Sequence, residues 1–401
     1  MPLGLLLFIA IFLLVLIVIY NVTKTNFRSS IGSRVRRQCQ EIAPSETIFV
    51  SIPEYRDSEA AFTICNLFAR AYCPFHVYVG VCSQRTTGVD SDLMKEIISI
   101  ATAPSAHRHG SINFTDHVEA FLREHVRVET VQSVLAKGPV IARASIERNL
   151  YKGQKYIMMI DSHMRFRDNW DKTAMENLNR CDSPKPILTM YPAHYISMGN
   201  QEPDGMSEKN PAGPPTCLFA CDLTDKGIVG LQARQCAFRP SKPLVQLFWT
   251  PCFSFTYATA HQEVPYDPHL RYLFYGEEIS MTARLWTAGW DFFCPQEMLL
   301  RHNWDSSYRP SFKELNKSAV NAEQRVQALL GIRATSSLHP NVTSKLEKYG
   351  LGNRRSLAAY EQFADLNFAN HFLGQRAKFG LSPYQGSDNE EMLCKIGSGS
   401  L

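Results

Sequence analysis

Three short acid and imidazole groupings stand out in this chain by their residue types and spacing. In "KYIMMIDSH" an apolar run (Tyr156 to Ile160) leads directly into Asp161, Ser162 and His163. Residues two apart on extended chain point to the same side, so one carboxylate and one imidazole can reach a single cation. That pair suits a borderline divalent ion such as Mn²⁺, with open positions left for phosphate oxygens. The same spacing recurs in "DSD" (Asp90 to Asp92) and "DPH" (Asp267 to His269), but there the surroundings are polar or proline-marked and read as turns. What separates Asp161 and His163 is the strand before them, because open α/β sheets gather ligands outside the carboxyl ends of their strands. The plainer reading is a pair of solvated turn residues ending a strand. His302 closes "EMLLRH" in the same layout, an apolar run delivering a polar side chain. In "YGEE", Glu277 and Glu278 open a helical pattern, where the helix dipole alone favours carboxylates. They could equally bind or orient the nucleophilic hydroxyl of an acceptor, and the sequence leaves both readings open.

The elements that must position these groups follow from periodicity. "TIFVSI" (Thr47 to Ile52) is a β-branched apolar run ended by Pro53 and reads as a buried strand. "SEAAFTICNLFARAY" has apolar residues at helical spacing, with Ser58 as N-cap, and "HVYVGVC" (His76 to Cys82) reads as the next strand. A strand, a helix and a strand in that order indicate a parallel sheet covered by helices, an α/β architecture. "KGPVIARASIERNLYKG" reads as a helix leading into the "KYIMMI" strand, and the Pro- and Gly-rich stretch between Tyr191 and Thr216 as a long loop. "EEISMTARLWTAGW" reads as a helix stopped at Gly289, "DFFCP" and "EMLLRH" as short strands, and the chain from Phe312 onward as mostly helical.

The composition narrows the class. The chain has 401 residues, 45% hydrophobic and 20% charged, with a net charge of +4. It can bury one large core or two smaller ones, and it lacks a basic track for nucleic acid. "LGLLLFIAIFLLVLIVIY" (Leu3 to Tyr20) carries no charge and is long enough to span a bilayer, which favours an uncleaved anchor over a signal peptide. The positive charges of Lys24, Arg28, Arg34, Arg36 and Arg37 after it pull toward a cytosolic stem, whereas sequons at Asn113, Asn316 and Asn341 favour a luminal domain. Of the eleven cysteines, Cys65 and Cys82 read as core thiols. In a secretory lumen Cys181, Cys217, Cys221, Cys236 and Cys252 are disulfide candidates, with pairing unreadable from spacing. The expected organisation is an anchor (1–22), a stem (23–44), a catalytic domain (45–311), its helical extension (312–390) and a tail (391–401).

The segments "SIPEYRDSE", "VYVGVCSQ", "GPVIAR", "IDSHMRFRDNWD", "FYGEEISMTARLWTAGWDFFCP", "RHNWDSSYRP" and "YGLGNRRSLAAYEQF" occur in this order. Together they resemble the polypeptide α-N-acetylglucosaminyltransferase family, from Thr47 to about Leu381. That family includes cytoplasmic enzymes that modify hydroxyproline and Golgi enzymes of trypanosomatids that start mucin-type O-glycans. The chain is more distantly similar to the polypeptide N-acetylgalactosaminyltransferases. The resemblance implies a GT-A fold and retaining, Mn²⁺-dependent transfer from UDP-GlcNAc to polypeptide hydroxyls, with mucin-like Ser/Thr-rich acceptors. It implies Asp161, His163 and His302 as metal ligands, with Asp161 also facing the UDP-sugar. Tyr55, Arg56, Asp57, Gln84 and Arg143 fall on segments lining the nucleotide pocket, Tyr308 and Arg309 on the segment closing over the diphosphate. Glu277 and Glu278 match the acidic pair near the acceptor. The expected anchor favours the Golgi branch, with the catalytic domain in the lumen. Two other readings stay open: a metal-dependent hydrolase that activates water, and a catalytically silent binding protein on the same fold.

Overall fold

A computed structural model describes residues 12–16, 32–103, 112–195 and 213–380. Its centre is a sheet built from β1 (Ile48–Tyr55), β2 (Val77–Arg85), β3 (Val126–Gln132), β4 (Tyr156–Ile160), β6 (Pro186–Thr189), β9 (Leu244–Gln246), β10 (Phe253–Tyr257) and β11 (Asp291–Cys294). These eight strands lie in the order β3-β2-β1-β4-β10-β6-β11-β9. β3, β2, β1 and β4 run parallel, and β10 runs antiparallel between β4 and β6. β5 (Met164–Phe166) and β12 (Leu300–His302) form a separate antiparallel ribbon, as do β7 (Thr216–Leu223) and β8 (Val229–Gln235).

Both faces of the sheet are covered, and alternate residues of β1 show why. Ile48, Val50 and Ile52 pack with the helices Ala60–Arg70, Leu93–Thr102 and Val118–His125, while Phe49 packs on the other side. The second face carries Pro139–Asn149, Glu277–Thr287, Val320–Leu329 and Leu357–Ala364. Such two-sided burial is why these strands read as continuous apolar runs.

β1 runs past Pro53 to Tyr55, beyond the end expected from the sequence. β4 pairs only with Ile48 to Ser51, whereas β2 stays paired out to Tyr55. Pro53 therefore sits where one side of β1 is free, the setting in which a missing N–H is tolerated. Nor is Ser58 the helix cap: Glu59 occupies that position, and its N–H donates to the Asp57 carboxylate at 2.9 Å. The helix Glu277–Thr287 ends as expected, with Gly289 at φ +92° just beyond it. Among the described residues no helix is long and apolar enough to cross a membrane. The expected anchor, Leu3 to Tyr20, lies outside them except for 12–16, and most of the expected long loop (196–212) lies outside them as well.

Candidate active site

The Asp161–His163 turn follows β4 directly and is clamped from the helix Ala60–Arg70. Thr63 Oγ1 donates to the Ser162 carbonyl at 2.8 Å and accepts the Met164 N–H at 2.8 Å. The end of the motif is structural. Trp170 Nε1 donates to the Leu67 carbonyl, and Asp171, fully buried, accepts the N–H groups of Tyr72 and Cys73. Arg165 pairs with Glu59, and Arg167 with Glu297.

His302 ends a strand, β12, as its apolar run implies. It comes from the β5–β12 ribbon, opposite Met164, and not from the main sheet. Its backbone is pinned on the other side by Ala193 and Tyr195, and Asn303 N–H donates to the His163 carbonyl at 3.0 Å. The two rings meet edge to face with centroids 4.5 Å apart.

Each acid holds a different partner. Asp161, partly exposed, lies 2.9 Å from Arg143 Nη2 through Oδ1 and 3.3 Å from His302 Nε2 through Oδ2. Burial would raise its pKa, but His302 and the Arg143 guanidinium hold it far below the usual carboxylate range. Asp57 is buried and accepts from His163 Nδ1 at 2.7 Å, Ser162 Oγ at 2.5 Å and Tyr308 Oη at 3.1 Å. Burial opposes its ionisation too, yet the hydrogen bonds from His163 and Ser162 lower it to about 2. A charge on His302 is penalised by burial, which lowers its pKa to about 4 and keeps the ring neutral near pH 7.

These groups open into a cleft of about 260 Å³ lined by Tyr55, Gln84, Asp161, His163, His302 and Arg309, with aromatic rings at its rim. Arg309 Nη2 stands 3.4 Å from His163 Nε2. Of the remaining residues read from the sequence, Asp57 and Arg143 sit beneath the cleft and orient Asp161 and His163. Arg56 turns to Asp90 in a two-point pair at 2.8 and 3.1 Å. Glu277 is buried against Arg143 Nε (3.3 Å) and the Tyr266 hydroxyl (3.0 Å), and burial raises its pKa. Glu278 accepts from the Tyr191 hydroxyl and from Thr250 Oγ1 at 2.6 Å. Burial raises it to about 7.

The donor set fits a divalent cation. Asp57 on His163 Nδ1 leaves Nε2 facing the cleft, the carboxylate–histidine arrangement that prepares an imidazole for a metal. Oxygen and nitrogen from Asp161 and His302 already face each other. Cys252, absent from the sequence expectations as a ligand, joins them: one donor atom from each of Asp161, Cys252 and His302 lies within 4.8 Å of the others. The pairing of Phe253 with Ile160 places Cys252 beside Asp161, and only strand pairing reveals it.

A family described as "Glycosyltransferase (GlcNAc)" matches residues 47–370. No curated protein matches the chain. Among solved structures, GalNAc-T7 with UDP, GalNAc and Mn²⁺ aligns at a TM-score of 0.51 and 11% identity, over 80% of this chain and 59% of that one. This chain thus spans less than two thirds of that relative. TarS from S. aureus (0.39, 10% identity, 76% of this chain and 70% of that one) and the mannosyltransferase PcManGT from Pyrobaculum calidifontis (0.36, 9%, 86% and 85%) are also similar. The first likeness shows the fold, a mixed α/β architecture matching GT-A glycosyltransferases.

Proposed function

The chain belongs to the Glycosyltransferase (GlcNAc) family, and from that premise we propose that it transfers GlcNAc from UDP-GlcNAc to polypeptide hydroxyl groups with retention. The observation that carries the reading is the double acid–imidazole arrangement, Asp57 on His163 and Asp161 on His302, beside Arg309 at the carboxyl edge of the sheet. A divalent cation held by Asp161 and His302, with His163 and Cys252 beside it, would neutralise the diphosphate as the glycosidic bond breaks.

The chain's own residues divide the remaining work. Arg143 fixes the Asp161 carboxylate from below, and Asp57 fixes the tautomer of His163. The Arg309 guanidinium offers N–H donors to phosphate oxygens at the cleft mouth. Tyr308, bonded to Asp57, ties the segment carrying Arg309 to the cleft floor. Glu278, held by Tyr191 and Thr250, is the acceptor-side group, and with a pKa near 7 it can take a hydroxyl proton. Phe274, Trp304 and Phe312 give the rim apolar faces for a sugar or peptide.

A second donor is supported by one observation: the solved relative holds UDP with GalNAc. The acceptor is proposed to be a Ser/Thr-rich polypeptide, in the Golgi lumen, with an anchor preceding the described fold. A disulfide between Cys39 and Cys73, and exposed sequons at Asn316 and Asn341, support a luminal site. The test is hydrolysis and peptide transfer by the protein from Gly32 onward, with UDP-GlcNAc, UDP-GalNAc and GDP-sugars, with and without Mn²⁺. Mn²⁺-dependent turnover of UDP-GlcNAc is expected. Turnover only of another donor, or none that needs metal, would refute the donor or the metal assignment.

A further inference from the structure

Away from the cleft, three thiols share one dry pocket. Cys217 on β7, Cys236 just after β8 and Cys294 at the end of β11 are all buried, with Leu244 and Phe379 around them. Their sulfurs all lie within 4.8 Å of one another, and those of Cys217 and Cys236 are 3.4 Å apart. The register explains the closest pair. Cys217 lies opposite Arg234, and Cys236 N–H donates to the Pro215 carbonyl at 2.8 Å, so both cysteines project from the same face of the ribbon. Cys294 comes from the neighbouring sheet, and its S–H points to the Thr216 carbonyl at 3.2 Å.

We propose that Cys217 and Cys236 are joined by a disulfide in the mature protein, stapling the β7–β8 ribbon behind the acceptor side of the site, with Cys294 left as a thiol. The inference rests on the luminal reading above, because bond formation needs an oxidising compartment. The redox balance is simple. The Cys236 thiolate attacks the disulfide of an oxidised dithiol–disulfide oxidoreductase and expels one of its thiolates. The Cys217 thiolate then attacks the Cys236 sulfur, and the oxidoreductase leaves as its dithiol, having taken two electrons.

A metal explains the cluster less well. Structural zinc is closed by four ligands, and among the described residues the group has three. Tetrahedral thiolates on zinc also stand about 3.8 Å apart, given Zn–S bonds of roughly 2.3 Å. The Cys217–Cys236 contact is shorter than that.

The staple bears on the reaction through Thr216, the residue before Cys217. Thr216 Oγ1 donates to the Tyr191 carbonyl, and the Tyr191 hydroxyl donates to Glu278. Freeing the ribbon loosens the support of Glu278, whereas among the described residues no hydrogen bond joins the ribbon directly to Asp161, His163 or His302. A peptide acceptor should therefore feel the loss, and sugar-nucleotide hydrolysis should not.

The test is a peptide map of the full chain made in a eukaryotic secretory pathway, denatured in N-ethylmaleimide and digested without reductant. Linked Cys217–Cys236 and Cys39–Cys73 peptides are expected, with maleimide on Cys294. Cys217→Ser and Cys236→Ser should each raise KM for a Ser/Thr-rich peptide several-fold and leave UDP-GlcNAc hydrolysis unchanged, and the double variant should be no worse than either. Maleimide on Cys217 and Cys236 with Cys39–Cys73 intact would overturn the staple and leave the luminal reading standing. Maleimide on all four would overturn both. A link to Cys294 would refute this pairing. One equivalent of zinc, with the three thiols reacting only after chelation, would replace the staple by a metal site. The map uses wild-type protein, so its outcome does not depend on the variants folding.

Discussion

Asp57→Asn tests whether the floor of the cleft does what the geometry implies. Asp57 Oδ2 accepts from His163 and Ser162, and Oδ1 accepts from Tyr308 and the Glu59 N–H. Asparagine keeps the shape but turns one of these oxygens into a donor. Whichever way the amide faces, at least two donors then meet an N–H. The carboxyl's pKa near 2, against an ordinary 3.8, gives the scale. A gap of roughly two units corresponds to about 2.5 kcal/mol. The folded pKa is depressed, so this stabilisation is fully present above pH 4 and disappears as the pH falls through 2. At pH 7 the variant should lose all of it, about 2–3 kcal/mol in urea denaturation of the metal-free protein.

Binding should suffer separately. Without the Asp57 charge the hold on the His163 Nδ1 proton weakens, with Ser162 Oγ at 3.3 Å the other group beside it, and replacing such a supporting carboxylate costs roughly 10–100-fold in metal affinity. Calorimetry of UDP with and without Mn²⁺ reads that loss directly. The loss should appear only with the metal present, and Asp57→Asn should add little to a His163→Ala variant, because both changes remove the same interaction. Unchanged UDP affinity in Mn²⁺, or an equal fall without metal, would refute the assignment of Asp57 as the group that orients His163.

Other outcomes follow from the same geometry. Asp161→Ala and His163→Ala should abolish Mn²⁺-dependent UDP binding, whereas His269→Ala should not, since that ring packs near Tyr349 instead; calorimetry distinguishes them. Glu278, raised by burial to about 7 from 4.5, favours the folded state as a neutral acid below pH 4.5, and that advantage is lost as the pH rises through 7. Glu278→Gln should therefore lose about 3 kcal/mol less stability than wild type between pH 4.5 and 8, measured by denaturation at each pH. Gly289→Ala places a side chain at φ +92° with its Cβ 2.9 Å from Arg354 Cδ, and should lower stability by about 1–2 kcal/mol with UDP affinity unchanged.

Much of the centre of the fold is legible in the sequence because its strands are buried on both faces and read as uninterrupted apolar runs. "TIFVSI", "HVYVGVC" and "KYIMMI" correspond to β1, β2 and β4: β4 carries the Asp161 turn, β1 lies beside it and β2 beyond β1. Local rules fail where they meet a long-range contact. Pro53 reads as a strand end because proline breaks ladders, but the ladder it would break is missing on that side. Ser58 resembles a cap because its type is right, while the Asp57 carboxylate two residues before Glu59 takes the N–H.

The site divides along the same line. A residue type at the end of an apolar run can be recognised locally, and Asp161, His163 and His302 line one cleft. What each of them leans on cannot be read that way, because the partner comes from elsewhere in the chain: Asp57 lies 106 residues before His163, and Arg143 lies 18 before Asp161. Cys252 is the sharpest case. As a cysteine before a strand it suggests a disulfide, yet β10 runs antiparallel to β4, and that reversal alone brings its thiol to Asp161 and His302. Had β10 been parallel to β4, its opposite end would have faced the cleft, and Cys252 would have lain a strand length away. The direction of one central strand thus decides which atoms meet at the site, and no spacing in the sequence records it.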